Sequence, residues 1–368
     1  MLTLHVVQAE YGDCLIVEYG MQPNPKYILI DGGPPGTYTA HLRSELEKIK
    51  KSGGRLDLAV LSHVDNDHIV GLLDLMAELR QQRANRATET IEMDSLWHNT
   101  FSQTIGLDNN VEARLKALQA NARNSAAVMT VTNAAVEGIG EGGQLRSSAL
   151  VLGIPINSDL ISVDDAPRPI RSADGLRLYV VGPTKKNLEE LRMEWLAWLD
   201  RCETSPLATE EIAAMADRSV PNLSSIMVLA EDEATGKRLL LTGDGRGDHL
   251  IDGLDQANLL SRDGTLHVDV LKVPHHGSAR NVTGKFFKTV TADKYIISAN
   301  GKYGNPDLDT LVWIIEAAKE QGRTIEIFAT NQTLSTRQLV EKYDRNEYGY
   351  RLVEMDKESS SMPLQIAV

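Results

Sequence analysis

Residues 60–72, VLSHVDNDHIVGL, place His63, Asp65, Asp67 and His68 between an apolar run and a helical pattern. The run Leu58 to Leu61 reads as a buried strand. Ile69, Leu72, Leu73, Met76 and Leu79 then recur at helical spacing. The segment therefore predicts a strand that turns directly into a helix, with four polar groups on the turn. Asp and His are costly to bury unless paired or bound to a metal, and they are the ligands that catalytic zinc, manganese and iron sites use. The plainer alternative is a polar turn in which an aspartate caps the helix.

Two later segments repeat the arrangement. LLLTGDG at 239–245 is an apolar strand ending on Gly243-Asp244-Gly245, and DVLKVPHHGSA at 269–279 runs into His275-His276-Gly277-Ser278. Asp244 alone would be a turn residue, and the two histidines alone a capping pair. Glycine lets a backbone approach a bound ion closely, and three strand-end clusters together form a metal-site constellation. A carboxylate such as Asp244 is able to bridge two cations.

These motifs resemble the metallo-β-lactamase superfamily of hydrolases, and within it the branch of the ComEC competence-protein nuclease domain. Ser62 to Gly71 are similar to that branch's Ser-His-x-Asp-x-Asp-His-x-x-Gly motif. Thr242-Gly243-Asp244, Lys272 to Ser278, Gly12-Asp13, Ile30-Asp31-Gly32-Gly33 and Asn222-x-Ser-Ser agree with it too. The resemblance runs from near the N-terminus to about residue 307. It implies one ion held by His63 and Asp65, joined by His98 of Trp97-His98-Asn99, and a second held by Asp67, His68 and either His275 or His276. Asp244 would bridge them, and Asp13 and Asp31 would orient the ligand loops; Asp31 also reads as a turn former. One position departs from the branch. Asn305 stands in Tyr303-Gly304-Asn305-Pro306 where the branch has histidine, so it is expected to donate a hydrogen bond rather than a proton.

The 368 residues suit one domain, with 84–220 as a helical or irregular insertion. Hydrophobic content of 42% and charged content of 24% describe a globular protein. No run of about eighteen apolar residues exists, so no membrane span is expected. The first residues lack a signal peptide's order. Cys14 and Cys202 offer no disulfide framework, which points to the cytoplasm.

Strands are expected at 2–8, 13–19, 26–31, 57–62, 176–182, 224–231, 238–243, 268–273, 294–298 and 324–329. Helices are expected at 38–51, 69–83, 110–122, 186–201 and 307–321, and a glycine-rich turn at EGIGEGG (137–143). Two strand-rich halves with helices outside predict an α/β fold, the four-layer αββα sandwich of the resembled superfamily.

Such a centre, carrying two divalent ions, zinc or manganese, suits hydrolysis through an activated water. Asp65, where most of the superfamily has imidazole, favours the harder manganese. Net charge is −13, yet Lys272, Arg280, Lys285, Lys288, Lys294 and Lys302 face one acid, Asp293, between 271 and 303. Lys272, Ser278, Lys285 and Lys288 are therefore expected to meet a phosphate backbone, although no aromatic interleaving marks a base-stacking platform. The leading expectation is a phosphodiesterase or nuclease acting on DNA, with a protein partner in a DNA-processing or defence system. The alternatives are hydrolysis of a small ester, thioester, lactone or phosphocholine-like substrate, and a non-catalytic subunit of a larger assembly.

Overall fold

A computed structural model describes residues 1–21, 23–100, 103–104, 113–114, 116–117, 140–166, 168–172, 174–204 and 224–367. Its strands are β1 (Leu2–Val7), β2 (Leu15–Tyr19), β3 (Lys26–Ile30), β4 (Leu56–Val60), β5 (Leu96–Trp97), β6 (Ile170–Arg171) and β7 (Leu176–Gly182). They continue as β8 (Met227–Asp232), β9 (Arg238–Leu241), β10 (Leu266–Lys272), β11 (Val290–Ile297), β12 (Ile325–Ala329), β13 (Tyr350–Glu354) and β14 (Ser361–Ala367). The helices are α1 (Arg43–Lys51), α2 (Asn66–Ala84), α3 (140–151), α4 (Lys185–Thr204), α5 (Gly247–Gln256), α6 (Gly284–Thr289), α7 (Leu308–Glu320), α8 (Leu334–Lys342) and α9 (Arg345–Tyr348).

One sheet runs β14-β1-β2-β3-β4-β5 and the other β13-β12-β11-β10-β9-β8-β7-β6. Each sheet is antiparallel on one side and parallel on the other. β3, β4 and β5 pair in parallel, as do β9 through β13. Parallel strands need both faces covered, and three buried clusters supply the cover. Leu4, Val17, Ile28 and Val60 of the first sheet meet Val228, Leu241, Val270 and Ile296 of the second. Leu46, Leu72 and Leu75 cover the first sheet's outer face. Leu250, Phe286, Leu311 and Ile314 cover the second's. Helix, sheet, sheet and helix are thus stacked as an αββα sandwich, as the alternation of strands and helices predicts.

One expectation fails, two strands come unannounced, and two features lie outside the described residues. EGIGEGG is not a turn at its described end, since residues 140–143 open α3. The reason is contact: a Cβ on Gly142 would lie 2.9 Å from His98 Nε2 and 3.2 Å from Val64. Glycine is what lets this helix approach. Strands β13 and β14 were not expected at all. Most of the anticipated 110–122 helix, and Asn222, lie outside the described residues. Among the described residues no helix is long and apolar enough to cross a membrane.

Candidate metal centre

Parallel sheets gather functional groups at the carboxyl ends of their strands, and both sheets do so here. Asp31 follows β3, Ser62 to His68 follow β4, and His98 follows β5. From the second sheet Asp244 follows β9, His275 and His276 follow β10, and Ser298 follows β11. Asp65 takes the N-cap position of α2 without a side-chain capping bond, so the capping alternative does not describe it.

Asp244, 2% exposed, is the meeting point. Its Oδ1 lies 3.3 Å from His68 Nε2, and its Oδ2 lies 3.4 Å from His276 Nε2, 3.5 Å from His275 Nε2 and 4.0 Å from His63 Nε2. Asp67 approaches from the side of His68 and His276, 3.9 Å and 3.4 Å from their Nε2 atoms. Asp65 approaches His63 Nε2 at 3.6 Å. Asp67, His68, Asp244 and His276 each offer one ligand atom within 4.8 Å of the others. His276 therefore belongs with Asp67 and His68, while His275 reaches Asp244 alongside His63.

The groups behind these side chains decide which atom faces the centre. Asp31 accepts from Ser62 N at 2.7 Å, from Ser62 Oγ at 2.7 Å and from His68 Nδ1 at 2.8 Å. Its φ of +59° makes it the turn former as well as the anchor. His276 Nδ1 donates to Ser298 O at 2.8 Å. Both imidazoles thereby keep Nδ1–H on these acceptors and turn Nε2 inward. The buried Nε2 atoms of His63, His68 and His276, and Asp244 Oδ1, have no hydrogen-bond partner. Buried polar atoms are rarely left so, and a divalent cation fits this set of nitrogen and oxygen donors.

The carboxylates of the site favour positive charge at its centre, a proton where no metal is bound. Burial opposes charge on His68 and His276, yet the surrounding carboxylates, Asp244 foremost, outweigh it and raise both well above the ordinary range. Asp244 is held well below the carboxylate range, because His276, His275 and His68 outweigh its burial. The backbone is also unusual. His275 and His276 both take left-handed conformations, at φ +47° and +54°. Such residues cost of order 1–3 kcal/mol each and cluster at functional sites. His275 N donates to Gly243 O at 3.2 Å, which joins the β9 and β10 turns.

Lys272 does not meet a phosphate backbone. It is fully buried, its ammonium paired with Asp13 and donating to Gly243 O at 3.2 Å. An ion pair formed across the two sheets removed it from the surface. Ser278 is 7% exposed. Lys285 and Lys288 are exposed and line a groove with Trp313 between α6 and α7, where Lys288 pairs with Glu320 at 2.6 Å. Asn305 is half-buried, next to Pro306, which packs on Gly277. His98 is fully buried against Val64 and Gly142, with no hydrogen bond to either ring nitrogen. Burial, with the Arg146 cation, pushes its pKa down to about 3.

One pair was missed. Tyr11 and Tyr303 meet edge to face at 5.5 Å. No local pattern signals it, because the two residues lie far apart in the chain.

Residues 9–153 match the model of the Metallo-beta-lactamase superfamily. No curated protein matches the chain. A solved diphosphatase of the PhnP family aligns over 100% of this chain and 98% of its own, at 11% identity and a TM-score of 0.41. The Acinetobacter baumannii Cap4 SAVED/CARF-domain receptor with 2'3'3'-cAAA aligns over 97% of this chain and 63% of its own, at 10% identity and a TM-score of 0.14. Neither likeness is close enough to bear on function. That stretch lies on the strands and turns that carry Asp13, Asp31 and His63 to His68, so residues 9–153 of this αββα sandwich are similar to the Metallo-beta-lactamase superfamily.

Proposed function

We propose that the chain is a metal-dependent hydrolase of phosphodiesters, with nucleic acid, DNA first, as its substrate class. The observation that carries this reading is Asp244, whose two oxygens face histidine nitrogens on both sides. In this reading Asp67, His68, His276 and Asp244 hold one divalent ion, and His63, Asp65, His275 and Asp244 a second, with His98 the least supported ligand. Such ions, when bound, supply Lewis acidity toward a phosphoryl oxygen and toward the attacking water. The protein's own part is orientation. Asp31 holds the His68 ring, Ser298 holds that of His276, and Asn305 offers an amide donor beside the HHGS turn. Three carboxylates in the ligand set favour manganese over zinc.

Elemental analysis should find up to two transition-metal ions per chain, and the loaded protein should cleave single-stranded DNA or bis-p-nitrophenyl phosphate. A protein that stays metal-free after exposure to excess zinc and manganese would end this reading. Metal binding with hydrolysis of a small thioester or lactone instead would keep the centre and replace the substrate.

A further inference from the structure

The two loops that border the candidate centre on the Asp67–His276 side each carry a tyrosine, Tyr11 and Tyr303. Gly12 is pressed against Asp67, so that a Cβ on it would lie 1.9 Å from the Asp67 carbonyl oxygen. Tyr11, its neighbour, therefore stands beside that ligand loop. Pro306 packs on Gly277, which follows His276, and Tyr303 stands on the same loop, 67% exposed. Between the two rings sits Lys302, its ammonium 3.5 Å from the Tyr11 ring centroid and 4.9 Å from that of Tyr303.

Both loops are braced. Asn331 Nδ2 donates to Gln8 Oε1 at 3.2 Å and to Ala299 O at 3.1 Å, and Asn300 Nδ2 donates to Glu10 Oε2 at 2.8 Å. Ser298 Oγ donates to Gly12 O at 2.5 Å, and the Ser298 carbonyl in turn holds His276. The loops that carry the two rings are thus tied by hydrogen bonds to a candidate ligand. A large aromatic left mostly in water at that place offers its ring to a ligand, and a cation lies beside it.

We propose that Tyr303, with Tyr11 and Lys302, is a stacking subsite for a nucleobase of the substrate, next to the scissile phosphodiester. This rests on the phosphodiesterase reading. The ring face takes the base, which is sequence-tolerant because every base has a π face. Lys302 faces the phosphate beyond it. Tyr11 sets the platform's angle through the edge-to-face contact.

The test compares thymidine 5′-p-nitrophenyl phosphate with methyl p-nitrophenyl phosphate, which lacks a base. Tyr303→Ala should raise KM for the nucleoside ester roughly tenfold more than KM for the methyl ester, and Tyr303→Phe should behave as wild type. Octathymidylate binding to the protein in EDTA is the second arm, with Tyr303→Ala again weakening it roughly tenfold. Equal KM changes on both esters, or octathymidylate binding indifferent to Tyr303→Ala, would overturn the subsite. If neither ester is cleaved but octathymidylate binding depends on Tyr303, the subsite stands and the hydrolytic reading falls.

Discussion

Lys272 and Asp13 form a fully buried ion pair, and the same ammonium lies 3.9 Å from Asp244 Oδ1. The pair joins the second sheet to the loop before β2, behind the candidate ligands. Removing one partner of a buried pair leaves an uncompensated charge and costs about 3–5 kcal/mol. Lys272→Met should therefore destabilise the metal-free protein by that amount in chemical denaturation, and excess divalent metal should recover part of the loss by neutralising Asp244. A change below about 1 kcal/mol would mean that solvent reaches Asp13.

Asp31→Asn keeps a residue that tolerates the left-handed backbone and removes the charge that orients His68. Metal affinity should fall by about 10–100-fold, read by equilibrium dialysis, with the circular dichroism spectrum unchanged. Wild-type affinity would reduce Asp31 to its turn.

Asp244→Asn separates bridging from folding, because the strand Arg238–Leu241 behind it is apolar and buried apart from its first residue. Elemental analysis should find no more than one ion per chain, and phosphodiester turnover should be lost. Turnover at the wild-type rate would make Asp244 only a turn residue.

Acid should find His98. Its folded pKa is depressed to about 3 by burial and Arg146, whereas an unfolded histidine titrates near 6.5. The unfolded chain thus binds more protons, and stability is lost as pH falls below about 6.5. Relative to His98→Leu, metal-free wild type should lose roughly 2 kcal/mol between pH 6.5 and pH 5. Parallel stability curves for the two proteins would show a hydrated imidazole.

Gly71→Ala probes how α2 is seated. A Cβ on Gly71 would lie 1.9 Å from Gly32 O, and Gly32 N already donates to His68 O at 2.7 Å. Overpacking costs typically about 1–3 kcal/mol. The denaturation midpoint should drop accordingly, and metal affinity should drop with it, because the helix carries Asp67 and His68. A lower midpoint with full affinity would uncouple the two.

The candidate cluster was readable where its residues are local. His63 to His68 share one turn, Asp244 another, and His275 and His276 a third, each announced by an apolar run that stops. What stayed hidden depends on partners distant in the chain. Nothing near Lys272 tells a strand-end cation to turn inward, because Asp13 is delivered by the other sheet. The choice between His275 and His276 rests on Ser298, a single carbonyl at the end of β11. EGIGEGG carries the glycines of a turn, yet Gly142 is used for close approach to His98 and Val64. β14 escaped notice because Pro363 interrupts its pattern. Proline is tolerated at a sheet edge, and that is where β14 lies, with Pro363 opposite His5.

That last strand has a bearing on biogenesis. β14 pairs antiparallel with β1 along its whole length, so β1 waits for a strand that follows every other described strand in the chain. Until then an apolar strand presents an open edge, the situation in which nascent chains associate wrongly. The sandwich can mature from the middle outward, but the β1 side of its first sheet is covered only once β14 has been made.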